Sequence, residues 1–120
     1  MIEFQYEYES GRRAYRHDVV DSDGFRLTVA GQACDAVNLS ENGVAYRMSG
    51  PIAEDLQPAE LEFDLDGVPI SVCCNLQCVR AEAGIHCCTF TAMSERQHLM
   101  LSRFIMQCQK AYIRRERGVR

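Results

Sequence analysis

Residues 60–79 read ELEFDLDGVPISVCCNLQCV, and their alternation decides the fold class. In an extended chain Leu61, Phe63 and Leu65 fall on one face and Glu60, Glu62 and Asp64 on the other, the two-residue period of a half-solvated strand. Asp66-Gly67 then closes a turn, because both residues accept the left-handed backbone of a tight hairpin. Beyond it Val68, Ile70, Val72, Cys74, Leu76 and Cys78 resume the alternation in phase. Two antiparallel strands joined by a short turn are the simplest structure with this pattern.

The neighbouring segments extend it. FRLTVAG (25–31) and QACDAVN (32–38) are β-compatible runs that meet near Gly31-Gln32, which predicts a hairpin. LSENG (39–43) has the Ser, Asn and Gly of a turn and leads into the strand VAYRMS (44–49). IHCCTFTA (85–92) is the last strand. At Met93 the period changes. Ser94 can cap a helix with Gln97 three residues on, and Leu101, Phe104, Ile105, Cys108 and Tyr112 recur at helical spacing. The basic end, RRERGVR (114–120), suits a helix C-terminus and is expected to fray beyond Gly118. At the other end Ile2, Phe4, Tyr6 and Tyr8 alternate with Glu3, Gln5 and Glu7, a pattern open to an edge strand, a dimer contact or a partner surface.

With 120 residues the chain has room for one continuous core and no more. No repeat, low-complexity tract or linker divides it, and no apolar run approaches the ~20 residues that cross a bilayer. The N-terminus lacks a basic start and an apolar middle, so the mature protein is expected to be the whole chain, in the cytoplasm. Seven cysteines, Cys34, Cys73, Cys74, Cys78, Cys87, Cys88 and Cys108, are an odd number, which speaks against a secreted disulfide scaffold. A net charge of −4 argues against broad binding to a DNA or RNA duplex, which requires an extended basic surface. Any anion held here should be small.

One basic spot stands out against that acidity. ESGRRAYRHD (9–18) places Arg12, Arg13 and Arg16 within five residues. A guanidinium presents a planar fork of donors that matches phosphate oxygens or the O6/N7 edge of guanine, and it keeps its charge. By itself the cluster reads as solvated surface. A second motif, NLSENG (38–43), offers the donor and acceptor of Asn38, the hydroxyl of Ser40 and the backbone freedom of Gly43. By itself it reads as a turn. Together they form R-x-x-x-R (Arg12, Arg16) followed, after a β-rich stretch of about twenty residues, by N-x-S-x-x-G (Asn38, Ser40, Gly43).

This motif pair resembles the paired signature of the PilZ domain, and the resemblance covers nearly the whole chain in order. It implies a mainly β fold: a six-stranded antiparallel barrel (19–92), preceded by an arginine-bearing arm (1–18) and followed by a C-terminal helix (93–117). It further implies a bacterial receptor for the second messenger cyclic di-GMP that relays its level to a protein effector, in motility or biofilm regulation, as a monomer or weak dimer. Arg12, Arg13 and Arg16 would hold phosphates and guanine edges, Asn38 would read a guanine, Ser40 would support a phosphate or base contact, and Gly43 would let the turn fit. No catalytic group and no cofactor beyond the ligand is implied. Where many relatives carry a further arginine before R-x-x-x-R, this chain has Gly11, a position tied in the family to whether one ligand or a stacked pair is bound. The alternative is a PilZ-like interaction module with weak or no nucleotide binding.

The other reactive residues give weaker patterns. Cys73, Cys74, Cys78, Cys87, Cys88 and His86 crowd two neighbouring strands, yet no C-x-x-C pair exists and adjacent strand residues point to opposite faces. Cys74 and Cys78 fit as small buried hydrophobes, so no metal site is expected. Nor does the sequence set His17, His86 or His98 beside a thiol as a nucleophile's base.

Overall fold

The computed structural model describes residues 16–51 and 54–117. The aromatic segment 2–8, Gly11, Arg12, Arg13 and residues 118–120 lie outside them. The described chain forms β1 (His17–Asp18), β2 (Arg26–Val29), β3 (Gln32–Cys34), β4 (Ala36–Leu39), β5 (Gly43–Arg47), β6 (Gln57–Leu65), β7 (Val68–Glu82) and β8 (Ile85–Thr91), followed by one helix, α1 (Glu95–Arg117). All eight strands belong to one antiparallel sheet in the order β1-β4-β5-β8-β7-β6-β2-β3.

The expected count of six strands is therefore corrected to eight among the described residues. The run 32–38 splits at Asp35, with β3 pairing to β2 and β4 pairing to β1 and β5. The end of the arginine segment adds β1. Splitting the run has a geometric consequence. β3 ends the sheet on one side, β4 is next to the last strand on the other, and a single residue joins them. Two virtual bonds of 3.8 Å span less than 8 Å, so the sheet must curl into a half-barrel.

Three hairpins share one turn geometry. Ala30-Gly31, Asp66-Gly67 and Ala83-Gly84 all have positive φ, 50° and 83°, 53° and 83°, 53° and 76°. Two consecutive left-handed residues match the twist of the flanking strands. Asp-Gly is legible as such a turn. Ala-Gly is not, because an alanine there works against its own Cβ by roughly 1–2 kcal/mol. β7 therefore ends at Glu82, next to that turn, and not at Val79, where the apolar run in the sequence stops.

The alternation in 60–79 sorts most of the side chains as expected; Val68, beside the turn, is exposed and Cys78 is only partly buried. Leu61, Phe63, Val72, Cys74 and Leu76 are buried, while Asp64, Ser71 and Cys73 are exposed. On the outer face Ser71 Oγ donates to Glu60 at 2.7 Å and Arg26 Nε donates to Glu62 at 3.4 Å.

Helix α1 closes the inner face. Ser94 caps it reciprocally: Gln97 N–H donates to Ser94 Oγ at 3.1 Å, and Ser94 N–H donates to Gln97 Oε1 at 3.0 Å. Leu101, Phe104, Ile105 and Cys108 are buried, and the Phe104 ring lies 4.5 Å from Phe63 and 6.0 Å from Phe25. Tyr112, expected on the same stripe, is exposed. A helix of 23 residues is about 35 Å long. Gln107 latches the helix to the β6–β7 hairpin, accepting from Asp66 N–H and donating to the Asp64 carbonyl, both at 2.9 Å.

Because Phe104 is 1% exposed and joins the helix to both Phe25 and Phe63, Phe104→Ala should cost about 3–5 kcal/mol in a urea-unfolding titration.

Candidate functional site

Pairing of β1 with β4 builds the site. His17 stands opposite Leu39 and Asp18 opposite Asn38, so one step back along the same register brings Arg16 to the level of Ser40. The chain reverses immediately afterwards. Ser40 N–H donates to the Gly43 carbonyl at 2.9 Å and Asn42 N–H donates to Ser40 Oγ at 3.2 Å. A serine in this role is an ordinary turn residue. Its hydroxyl proton, however, remains to be donated elsewhere.

Around this turn lies a hollow of about 120 Å³ lined by Arg16, Asn38, Ser40, Asn42 and Gly43 from one side and Val79, Cys87, Cys88 and Thr89 from the other. Four of the six residues singled out in the sequence, Arg16, Asn38, Ser40 and Gly43, thus line one space. Arg12 and Arg13 lie outside the described residues. Arg16 is exposed, and no carboxylate is among the lining residues. The hollow is well below the ~300–1,000 Å³ of pockets that engulf a ligand, so it can seat one group of a larger molecule.

Two β-bulges frame the hollow. In β4 the register slips between Ala36 and Asn38, which leaves Val37 unpaired with β5 and re-aims Asn38. In β7 it slips between Cys78 and Arg80, leaving Val79 61% exposed at the rim. Val79 was not distinguishable in the sequence, because it reads as one more residue of an apolar strand.

Gly43 has a steric reason to be glycine. A Cβ added there would collide with the backbone carbonyl of Cys88 on β8. The requirement is close approach of two strands rather than a special turn conformation. The turn is also tied to the helix and to β8: the His98 Nδ1–H donates to the Glu41 carbonyl at 3.0 Å, and the Phe90 N–H of β8 donates to the Asn42 carbonyl at 2.9 Å. His98 carried no such signal in the sequence, since its partner is a backbone carbonyl 57 residues away.

The floor of the hollow is uncharged. Burial pushes the Cys88 thiol up to about 12 from an ordinary 9.0, and its S–H donates to the Tyr46 hydroxyl at 3.7 Å. Tyr46 is raised as well, again chiefly by burial. A thiol held neutral is not a nucleophile. The paired cysteines divide between faces as strand geometry requires: Cys74 is buried and raised to about 11 by its burial, while Cys73 is exposed. Strands β7 and β8 gather no metal-donor set among the described residues; the group within mutual reach is His17, Asp23 and Cys108, from other elements.

No family model and no curated protein matches the chain. Solved structures do. An uncharacterized Legionella protein, Lpg0364, superposes with a TM-score of 0.62 at 14% identity, covering 82% of this chain and 98% of that one. The Bacillus subtilis inhibitor of motility, MotI/DgrA, superposes with a TM-score of 0.66 at 10% identity over 83% of this chain and 51% of that one. The chain has the fold of these two proteins and spans about half the length of the motility inhibitor. The PilZ domain of CeSA from a cellulose-synthesizing bacterium is also among the structural neighbours, with a TM-score of 0.48 and 18% identity over 81% of this chain and 94% of that one.

Two outcomes test the site's construction. Gly43→Ala should lower stability by about 1–3 kcal/mol, because either β5 or β8 must shift. Stability should also fall as pH rises from about 9 toward 12, where the unfolded chain releases the Cys74 and Cys88 protons that the folded chain keeps. Urea midpoints measured across that range should drop, and Cys88→Ala should flatten the slope.

Proposed function

We propose that this chain is a PilZ-type receptor that binds cyclic di-GMP without chemistry and passes the signal to a protein effector. The observation that carries this reading is that Arg16, Asn38, Ser40 and Gly43, from segments about twenty residues apart, line one uncharged-floored hollow. Cyclic di-GMP carries two phosphate charges and two guanines. The Arg16 guanidinium suits either, as a charge-assisted fork on a phosphate or on a guanine edge. Asn38 has the donor and acceptor to read a guanine, Ser40 has one proton left to donate, and Gly43 keeps β5 close enough to β8 for the hollow to stay shallow. A dinucleotide lies across such a hollow rather than inside it. Arg12 and Arg13, four and three residues before Arg16, are then the groups that close over it.

Helix α1 is the natural output element. His98 holds the Glu41 carbonyl of the binding turn, so a ligand that moves residues 40–43 acts directly on the first turns of the helix. The same helix exposes Leu99 and Met106, spaced seven residues apart, to an effector. No helix of the described residues is long and apolar enough to cross a membrane. We place the protein in the bacterial cytoplasm.

Calorimetric titration with cyclic di-GMP tests the reading. Wild type should bind, and Arg16→Ala should weaken binding by about 2–5 kcal/mol, the cost of removing one partner of a charge-assisted contact. Absence of binding by folded wild type would instead make the chain an interaction module that uses the exposed face of α1.

A further inference from the structure

We propose that His17, Asp23 and Cys108 form a buried site for one zinc-like divalent cation. Their donor atoms all lie within 4.8 Å of one another. They come from three separate elements: His17 from β1, Asp23 from the 3-10 turn at Asp21–Asp23, and Cys108 from the middle of α1. The His17 and Asp23 side chains are 8% and 3% exposed, and Cys108 is 4% exposed.

Imidazole, carboxylate and thiolate are the three ligand types zinc takes from proteins, and three protein ligands leave a fourth position for water or another donor. The distances suit the ion. Zinc bonds of ~2.0–2.3 Å set at tetrahedral angles hold donors ~3.3–3.7 Å apart. His17 Nε2 is 2.8 Å from Asp23 Oδ2, so the two part by about half an ångström, and the sulfur closes to the same range. The carboxylate is already oriented by an outer contact, Val20 N–H donating to Asp23 Oδ2 at 2.9 Å. Such supporting hydrogen bonds are what fix a ligand's direction at metal centres.

Charge balance points the same way. A carboxylate removed from water is costly unless it is compensated. Zn²⁺ with one carboxylate, one thiolate and one neutral imidazole sums to zero, which suits burial. Binding requires the thiolate of Cys108, so its thiol proton leaves to solvent. Since His17 directly follows Arg16, the ion would fasten the root of the arginine segment to α1. None of this depends on the nucleotide reading.

The test is titration of the chelator-stripped, reduced full chain with cobalt(II), then displacement by zinc(II). One cobalt per chain should bind, with a sulfur-to-cobalt charge-transfer band and the visible bands of four-coordinate cobalt. Cys108→Ala should remove the charge-transfer band, and His17→Gln should weaken binding by more than the roughly 10–100-fold that loss of a mere supporting contact costs. Cys73→Ser should leave both unchanged. If Cys108→Ala does not fold, His17→Gln and Asp23→Asn, checked by circular dichroism, carry the same reading. No cobalt binding by wild type, a charge-transfer band lost in Cys73→Ser, or titrations unchanged in both His17→Gln and Asp23→Asn would overturn the site.

Discussion

Asp35 is one residue between two strands that belong to opposite parts of the sheet, and the rest of the molecule follows from that junction. A chain that pairs with β2 through Cys34 and with β5 from Ala36 onward cannot remain flat. Curling gives the sheet a concave side, and the alternating side chains of β6 and β7 turn that side into a core. It also leaves the concavity open to solvent unless something covers it. Helix α1 does so with Leu101, Phe104, Ile105 and Cys108, anchored on the Phe25–Phe63–Phe104 group.

The candidate site sits where this regularity is interrupted. The bulges at Val37 and Val79 lie on β4 and β7, and the hollow between them takes side chains from both regions. A bulge changes which way a strand's side chains point without breaking the sheet, so polar groups such as Asn38 can be delivered beside an otherwise apolar wall. Close approach of β5 to β8, possible because position 43 has no Cβ, keeps the hollow shallow. The turn residues play two parts. Ser40 Oγ accepts from the Asn42 N–H that the reversal would otherwise strand, and Ser40 and Asn42 also line the hollow. For these positions the turn reading and the binding reading are compatible.

Much of the fold was legible because it rests on local periodicity. The two-residue alternation of 60–79, the Asp66-Gly67 turn and the Ser94–Gln97 cap each involve residues a few positions apart, and each stands in the structure as it reads in the sequence, save for an exposed Val68 beside the turn and the bulge at Val79. The miscounted strands were of another kind. QACDAVN has no internal signal that its halves pair with different neighbours, and the two residues of β1 are too few to show a period. Ala83-Gly84 hid where β7 ends rather than a strand, because alanine is a poor left-handed residue. Tyr112 kept its helical phase but not its burial, since the pattern says which face a residue is on and not how far along the helix that face is covered.

The sequence by itself determined the class of fold, the helix and its cap, and the identity of the polar groups in two motifs, because those depend on contacts over a few residues. Only the tertiary structure decided that Arg16, Asn38, Ser40 and Gly43 share a hollow, that Val79 and Cys88 wall it, that His98 ties its turn to the helix, and that His17, Asp23 and Cys108 meet in the interior. Those meetings join residues separated by tens of positions, and their distances are set by sheet curvature and strand register. Neither is written in any short stretch of chain.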